Sequence, residues 1–131
     1  MAIKKQLSVF LENKIGVLGR LCKSFKENKI NINALSVSDT VDHAVVRLIV
    51  SDPTRARDLL EQHGVLVVET DVLALELPDQ PGILATLAAK LAKAKINIEY
   101  AYGTAGECGG HPTLIVRVSD TKRAEKLLKK L

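Results

Sequence analysis

Two short stretches carry residue types that can hold a charged small molecule. Asn13-Lys14-Ile15-Gly16 and Asp79-Gln80-Pro81-Gly82 each place a side-chain oxygen three residues ahead of a glycine. Each stands between an alternating apolar stretch and a helical apolar stripe, so Gly16 and Gly82 fall where a strand hands over to a helix. A residue without a Cβ lets another group come close to the backbone. The first turn of a helix offers N–H groups and the positive dipole end, which suits an α-carboxylate. The side-chain oxygen of Asn13 or Asp79 can accept hydrogen bonds from an α-ammonium, and the carboxylate is the better partner for that cation. The same residues also have a structural reading, the Asp or Asn as a helix N-cap and the Gly as a tight turn.

Other chemistry-bearing residues are less well arranged. Cys108 and His111 have the spacing of a ligand pair, but zinc needs three or four ligands, and His43, His63 and Cys22 have no motif spacing to them. The segment around Gly103, Gly106, Gly109 and Gly110 lies between two strands and lacks the Lys-Ser/Thr ending of a phosphate loop, so it reads as a glycine-rich link. The three histidines have no paired nucleophile, and no catalytic set is expected. Tyr100 and Tyr102 alternate on one strand, and Arg47 and Arg117 sit mid-strand at non-equivalent places.

The elements that position these residues come in duplicate. Asn13–Leu18 returns as Asp79–Leu84, and Lys29-Ile30-Asn31-Ile32 as Lys95-Ile96-Asn97-Ile98, sixty-six positions later. Ser51-Asp52 and Arg55–Leu60 return as Ser119-Asp120 and Arg123–Leu128 at an offset of 68. In each copy a strand (Leu7, Val9, Leu11; Leu73, Leu75, Leu77) precedes a helix stripe: Val17, Leu18, Leu21, Cys22 and Phe25, then Ile83, Leu84, Leu87, Ala88 and Leu91. An extended stretch, a β-branched run, a second helix opened by Ser51-Asp52-Pro53 and a strand at Val65–Val68 complete the first copy. The order β-α-β-β-α-β implies an α+β, ferredoxin-like plan, an antiparallel sheet with both helices on one face. The expected modules are residues 1–70 and 71–131, with no flexible linker between Val65 and Leu77. Cys22 takes the place of Ala88 and reads as core.

This element order, with Asp/Asn-x-x-Gly-x-Leu at the first strand–helix junction and Ile-Asn-Ile after that helix, resembles the ACT domain, and both copies carry both motifs. The resemblance implies a small-molecule sensor, mostly for amino acids, of a kind usually appended to metabolic enzymes. This chain looks most like a free-standing tandem of such domains. Carried over by position, the resemblance implies ligand contacts at Asn13, Ile15, Gly16, Val17 and Leu18 in the first copy. In the second copy they fall at Asp79, Pro81, Gly82, Ile83 and Leu84. Asn31 and Asn97 would complete such sites across a module interface. The first copy departs from the pattern, with Asn13-Lys14-Ile15 where the second has Asp79-Gln80-Pro81.

Composition narrows the classes further. Hydrophobic residues at 47% and charged residues at 26% exclude disorder. The net charge of +4 is spread, with 10 basic and 7 acidic residues through position 66 and 9 and 8 after it, so no nucleic-acid stripe forms. Lys122, Arg123, Lys126, Lys129 and Lys130 read as a solvated helix face. With no Trp, two Tyr and two Phe, there is no stacking platform for single strands. No apolar run is long enough to span a membrane, the start lacks a signal-peptide core, and two cysteines fit a reducing cytoplasm.

The expected protein is therefore a cytoplasmic, non-enzymatic sensor that binds an amino acid, needs no metal or cofactor, and regulates a partner, such as a metabolic enzyme, in trans. The alternative is an interaction subunit of the same fold without ligand binding. The second copy ends at Leu131, before the equivalent of Val65–Val68, so it lacks its last strand and the Asp71–Leu77 strand is short of a neighbour. An open apolar edge must be covered, by the Val65–Leu77 run, by the N-terminal segment or by another chain. Since the resemblance also implies side-by-side pairing, a homodimer is expected.

Overall fold

The structure, a computed structural model, describes residues 2–40, 42–78, 80–104 and 113–129. The elements run β1 (Ala2–Glu12), α1 (Val17–Glu27), β2 (Ile32–Asp39), β3 (His43–Val50), α2 (Pro53–Gln62), β4 (Leu66–Glu76), α3 (Ile83–Lys93), β5 (Ile98–Thr104), β6 (Thr113–Val118) and α4 (Thr121–Leu128). This is the α+β plan with its duplicated β-α-β-β order. Among the described residues no helix is long and apolar enough to cross a membrane.

The chain divides into two compact units, Lys5–Thr70 and Met1–Lys4 with Asp71–Leu131. In the first, β3 pairs antiparallel with both β1 and β2, and β4 flanks β1. The register sets Leu7 opposite Leu48 and Val9 opposite Val46, so the alternation of β1 and β3 points one apolar row to a single face. Leu21 and Phe25 of α1 and Ala56 and Leu60 of α2 join that row in one buried cluster, which puts both helices on the same face. Cys22 is not part of this core: it is half-buried, and its counterpart Ala88 is exposed, because both fall at the margin of the helix's apolar stripe.

In the second unit β6 pairs antiparallel with β4 and β5. Leu73, Leu75, Val116 and Val118 face Leu87 and Leu91 of α3 and Ala124 and Leu128 of α4. The strand missing from this copy comes from the chain's own start. The β1 strand lies beside β4, residues Met1–Lys4 group with the second unit, and Ile3 packs on its core.

The two strands expected at Val65–Val68 and Asp71–Leu77 are likewise one strand, β4. No Gly, Pro or Ser interrupts that run, and its β-branched residues favour continued extension. The edge that the sequence left open is closed within the chain, and it gives no ground for a dimer.

Two details recur in both units. Lys29 and Lys95 follow α1 and α3 with φ of 58° and 59°. There the N–H of Ile30 bonds the Phe25 carbonyl and that of Ile96 bonds the Leu91 carbonyl, both at 2.9 Å, closing each helix with a left-handed residue. At the other helix pair, Asp52 and Asp120 cap α2 and α4, their Oδ1 atoms accepting from the N–H of Arg55 and Arg123 at 3.1 Å.

Candidate functional site

The strand–helix junctions are built alike in both copies. Gly16 and Gly82 are the N-caps of α1 and α3, with φ of +84° and +88°, a left-handed conformation that any L side chain adopts only under strain. Arg20 and Thr86 each donate a backbone N–H to the capping glycine's carbonyl at 3.0 Å. Among the described residues no side chain caps either helix, and neither first turn holds an acidic residue. The N-cap position open to Asn13 therefore falls to glycine, which has no side chain to cap with; the Val17 and Ile83 N–H groups donate to the Lys14 and Gln80 carbonyls at 3.4 and 3.5 Å, whereas α2 and α4 are capped by aspartate. A Cβ at Gly16 or Gly82 would meet nothing within 4 Å, so the space over both glycines is open.

The surroundings differ. In the second copy a cavity of about 170 Å³ adjoins the start of α3, lined by Leu77, Pro78, Ile83, Leu84, Gly103, Thr104, Thr113 and Leu114. Ile83 and Leu84 were expected at the site; Gly103 and the two threonines were not, since they come from β5 and β6 and only the sheet register (Thr104 opposite Thr113) brings them there. The first copy has Val37 at the position of Gly103, and that valine is 49% exposed. Its loop is also tied down: Lys14 Nζ lies 2.9 Å from Glu12 Oε2, and the Asn13 N–H donates to the Asp42 carbonyl at 3.2 Å. The hydrogen bond and charge of Lys14 hold the Glu12 carboxyl below its ordinary range and push the ammonium up.

The remaining expected residues are scattered. Ile15 is fully exposed at the loop tip, while Val17 and Leu18 pack against the core of the first unit. Pro81 is exposed, and Asp79 lies outside the described residues, as do Cys108 and His111. Among the described residues no three His, Cys, Asp or Glu side chains gather as a metal cluster.

Asn31 and Asn97 sit past the far end of α1 and α3, about 16 Å along an 11-residue helix from the glycine of their own unit. There each clamps a neighbouring strand end. Asn31 exchanges backbone bonds of 3.0 Å with Ser51, through its N–H to Oγ and its carbonyl to the Ser51 N–H. Asn97 does the same with Ser119. Arg117 is engaged by Glu99 at 3.3 Å, the Asp71 carbonyl at 2.9 Å and Thr121 Oγ1 at 3.3 Å.

A second cavity, of about 950 Å³, lies wholly in the first unit. Its apolar lining is Phe10, Leu11, Val17, Leu21, Leu59, Leu60, Val65 and Leu66; Glu12, Arg20, Ser24, His43 and His63 add polar groups. Of the expected residues only Val17 reaches it.

A family described as the ACT domain pair matches residues 1–131. Among solved structures, a protein from Bacteroides thetaiotaomicron is 34% identical and superposes with a TM-score of 0.89, over 98% of this chain and 88% of that one. The ligand-free regulatory subunit of aspartate kinase from Thermus thermophilus shares the fold at 14% identity and a TM-score of 0.68, covering 98% and 91%. Aspartokinase III of E. coli, solved with aspartate and ADP, aligns at 16% identity and a TM-score of 0.57, over 96% of this chain and 31% of the enzyme. No curated protein matches the sequence.

Proposed function

The chain belongs to the ACT domain pair family, and from that premise we propose that it is a non-enzymatic sensor that binds an amino acid and regulates a partner protein in trans. The fold is that of regulatory subunits, such as the one of Thermus thermophilus aspartate kinase, rather than of their catalytic partners. The observation that carries the ligand is the glycine-started α3, without a side-chain cap among the described residues, beside the 170 Å³ cavity. The first-turn N–H groups and helix dipole receive the α-carboxylate. The side chain enters the cavity, whose mostly apolar walls suit a small aliphatic residue. Asp79 takes the ammonium, with Pro81 and Gly82 shaping the loop between them.

In the first copy the Asn13–Leu18 loop keeps the backbone but has Val37 in place of the opening glycine, and it serves as a structural mate. A metabolic enzyme in the cytoplasm is the proposed partner. Homodimerisation is retained on different ground from the closed edge: β2 is a terminal strand of the sheet order, and its Leu35 and Val37 are 42% and 49% exposed. Light scattering that returns a stable 14.2 kDa species at micromolar concentration removes the dimer.

The ligand is tested by a thermal-shift screen of the twenty amino acids. A ligand at a hundred times its dissociation constant adds about 2.7 kcal/mol, roughly 10 °C in a domain of this size. Asp79→Ala is expected to abolish that shift while the apo protein stays folded. No shift with any amino acid favours the interaction subunit without ligand binding.

A further inference from the structure

The 950 Å³ cavity lies within Lys5–Thr70 and touches neither capping glycine. We propose that it is a second ligand site, for a hydrophobic monocarboxylate, working apart from the glycine loops. Its volume is at the upper end of small-molecule sites. Leu11, Leu21 and Leu60 form a buried apolar floor, and Phe10 at 37% and Leu66 at 64% exposure leave an apolar rim in water that a ligand would cover.

The charges at the mouth select the head group. The one carboxylate, Glu12, is held at 2.9 Å by Lys14. Arg20 also acts on Glu12 through its charge but makes no side-chain hydrogen bond or ion pair to another described residue, so its exposed planar fork can take a bidentate carboxylate. His63 is fixed at the rim by its Nδ1–H, which donates to the Leu59 carbonyl at 2.8 Å. One permanent cation above an apolar floor matches one carboxylate on an apolar body.

The repeat shows that the fold does not require these groups. At the offset of 66, Phe10, Arg20 and Ser24 become Glu76, Thr86 and Lys90 on the equivalent strand and helix. The guanidinium and the aromatic rim are thus particular to the first copy, the second carrying an ammonium one turn further along the helix.

Octanoate binding to the full chain, measured by calorimetry, tests the assignment, with 1-octanol as the uncharged probe. Wild type is expected to bind octanoate saturably at one per chain. Arg20→Thr, which installs the residue the second copy already uses, should weaken octanoate at least about tenfold and leave 1-octanol unaffected. Leu66→Ser should weaken both probes. Gly82→Ala should leave octanoate binding intact even where it removes an amino-acid response, so the two sites fail separately. Absence of saturable octanoate binding, or equal affinity in Arg20→Thr, overturns the proposal. So does light scattering in which Leu66→Ser turns a dimer into a monomer, which makes the groove a contact between two chains.

Discussion

The two strand–helix junctions have nearly the same backbone and different side chains. Gly16 and Gly82 differ by only a few degrees in φ, and each accepts the same 3.0 Å bond from the fourth residue on. Around them, Gly103 opens a cavity where the first copy has Val37, and Gln80-Pro81 stands where Lys14 is drawn to Glu12. The duplication has conserved what the fold needs and released what a ligand would touch. That separation lets stability and binding be probed independently, copy against copy.

The largest expected effect concerns the shared part. Phe25 and Leu91 are repeat equivalents, buried to 1% and 0% exposure. Phe25→Ala and Leu91→Ala should each destabilise by about 3–5 kcal/mol in denaturant unfolding. A cost several-fold smaller in one copy would break the structural equivalence.

Next come the capping glycines. Gly16→Ala and Gly82→Ala meet no steric obstacle, so each should cost about 1–2 kcal/mol from the left-handed backbone alone, and equally. A much larger loss at one of them would mean its loop is held by contacts that the other lacks. Asp52→Ala and Asp120→Ala remove true caps and should cost about 1 kcal/mol each. Neither should alter an amino-acid response, since α2 and α4 are not the helices that begin at the glycine junctions.

The smallest effect is electrostatic. Lys14→Ala should raise the Glu12 titration midpoint toward its ordinary value, read by carboxyl NMR. The sign follows from a depressed carboxyl pKa. The pair's contribution is present above the unfolded value and is lost as pH falls through the folded one, so wild type and variant should converge in acid. Both side chains are exposed, which keeps the stability effect slight. An unmoved midpoint means the pair does not persist in solution.

Much of this was legible in the sequence because the sequence is written twice. The repeat located every helix, the strand alternation and both glycines. What it hid depends on long-range pairing. The N-terminal segment was one of three candidates for the open edge, and a single isoleucine, Ile3, packed on the second core was too little apolar patterning to choose it. The Asn of Ile-Asn-Ile, expected at a ligand, also clamps a strand end through its backbone to a serine about twenty residues on, a partner present in both copies but distant in sequence. The groove of the first unit was invisible because Arg20 and His63 meet only after α2 folds back beside α1. Of the two readings open to Asn13, the N-cap is the one that the structure gives to Gly16 instead.

The central claim, that the second junction binds an amino acid with its side chain in the cavity opened by Gly103, is tested most directly by Gly103→Val. A Cβ there meets nothing within 4 Å, and the first copy already carries valine at this position of its sheet, so the apo melting temperature should stay within about 3 °C of wild type. In the amino-acid screen the stabilising ligand should shift wild type by roughly 10 °C at a hundred times its dissociation constant and shift Gly103→Val by nothing measurable. A full shift in Gly103→Val would contradict the account, since the ligand would then lie elsewhere.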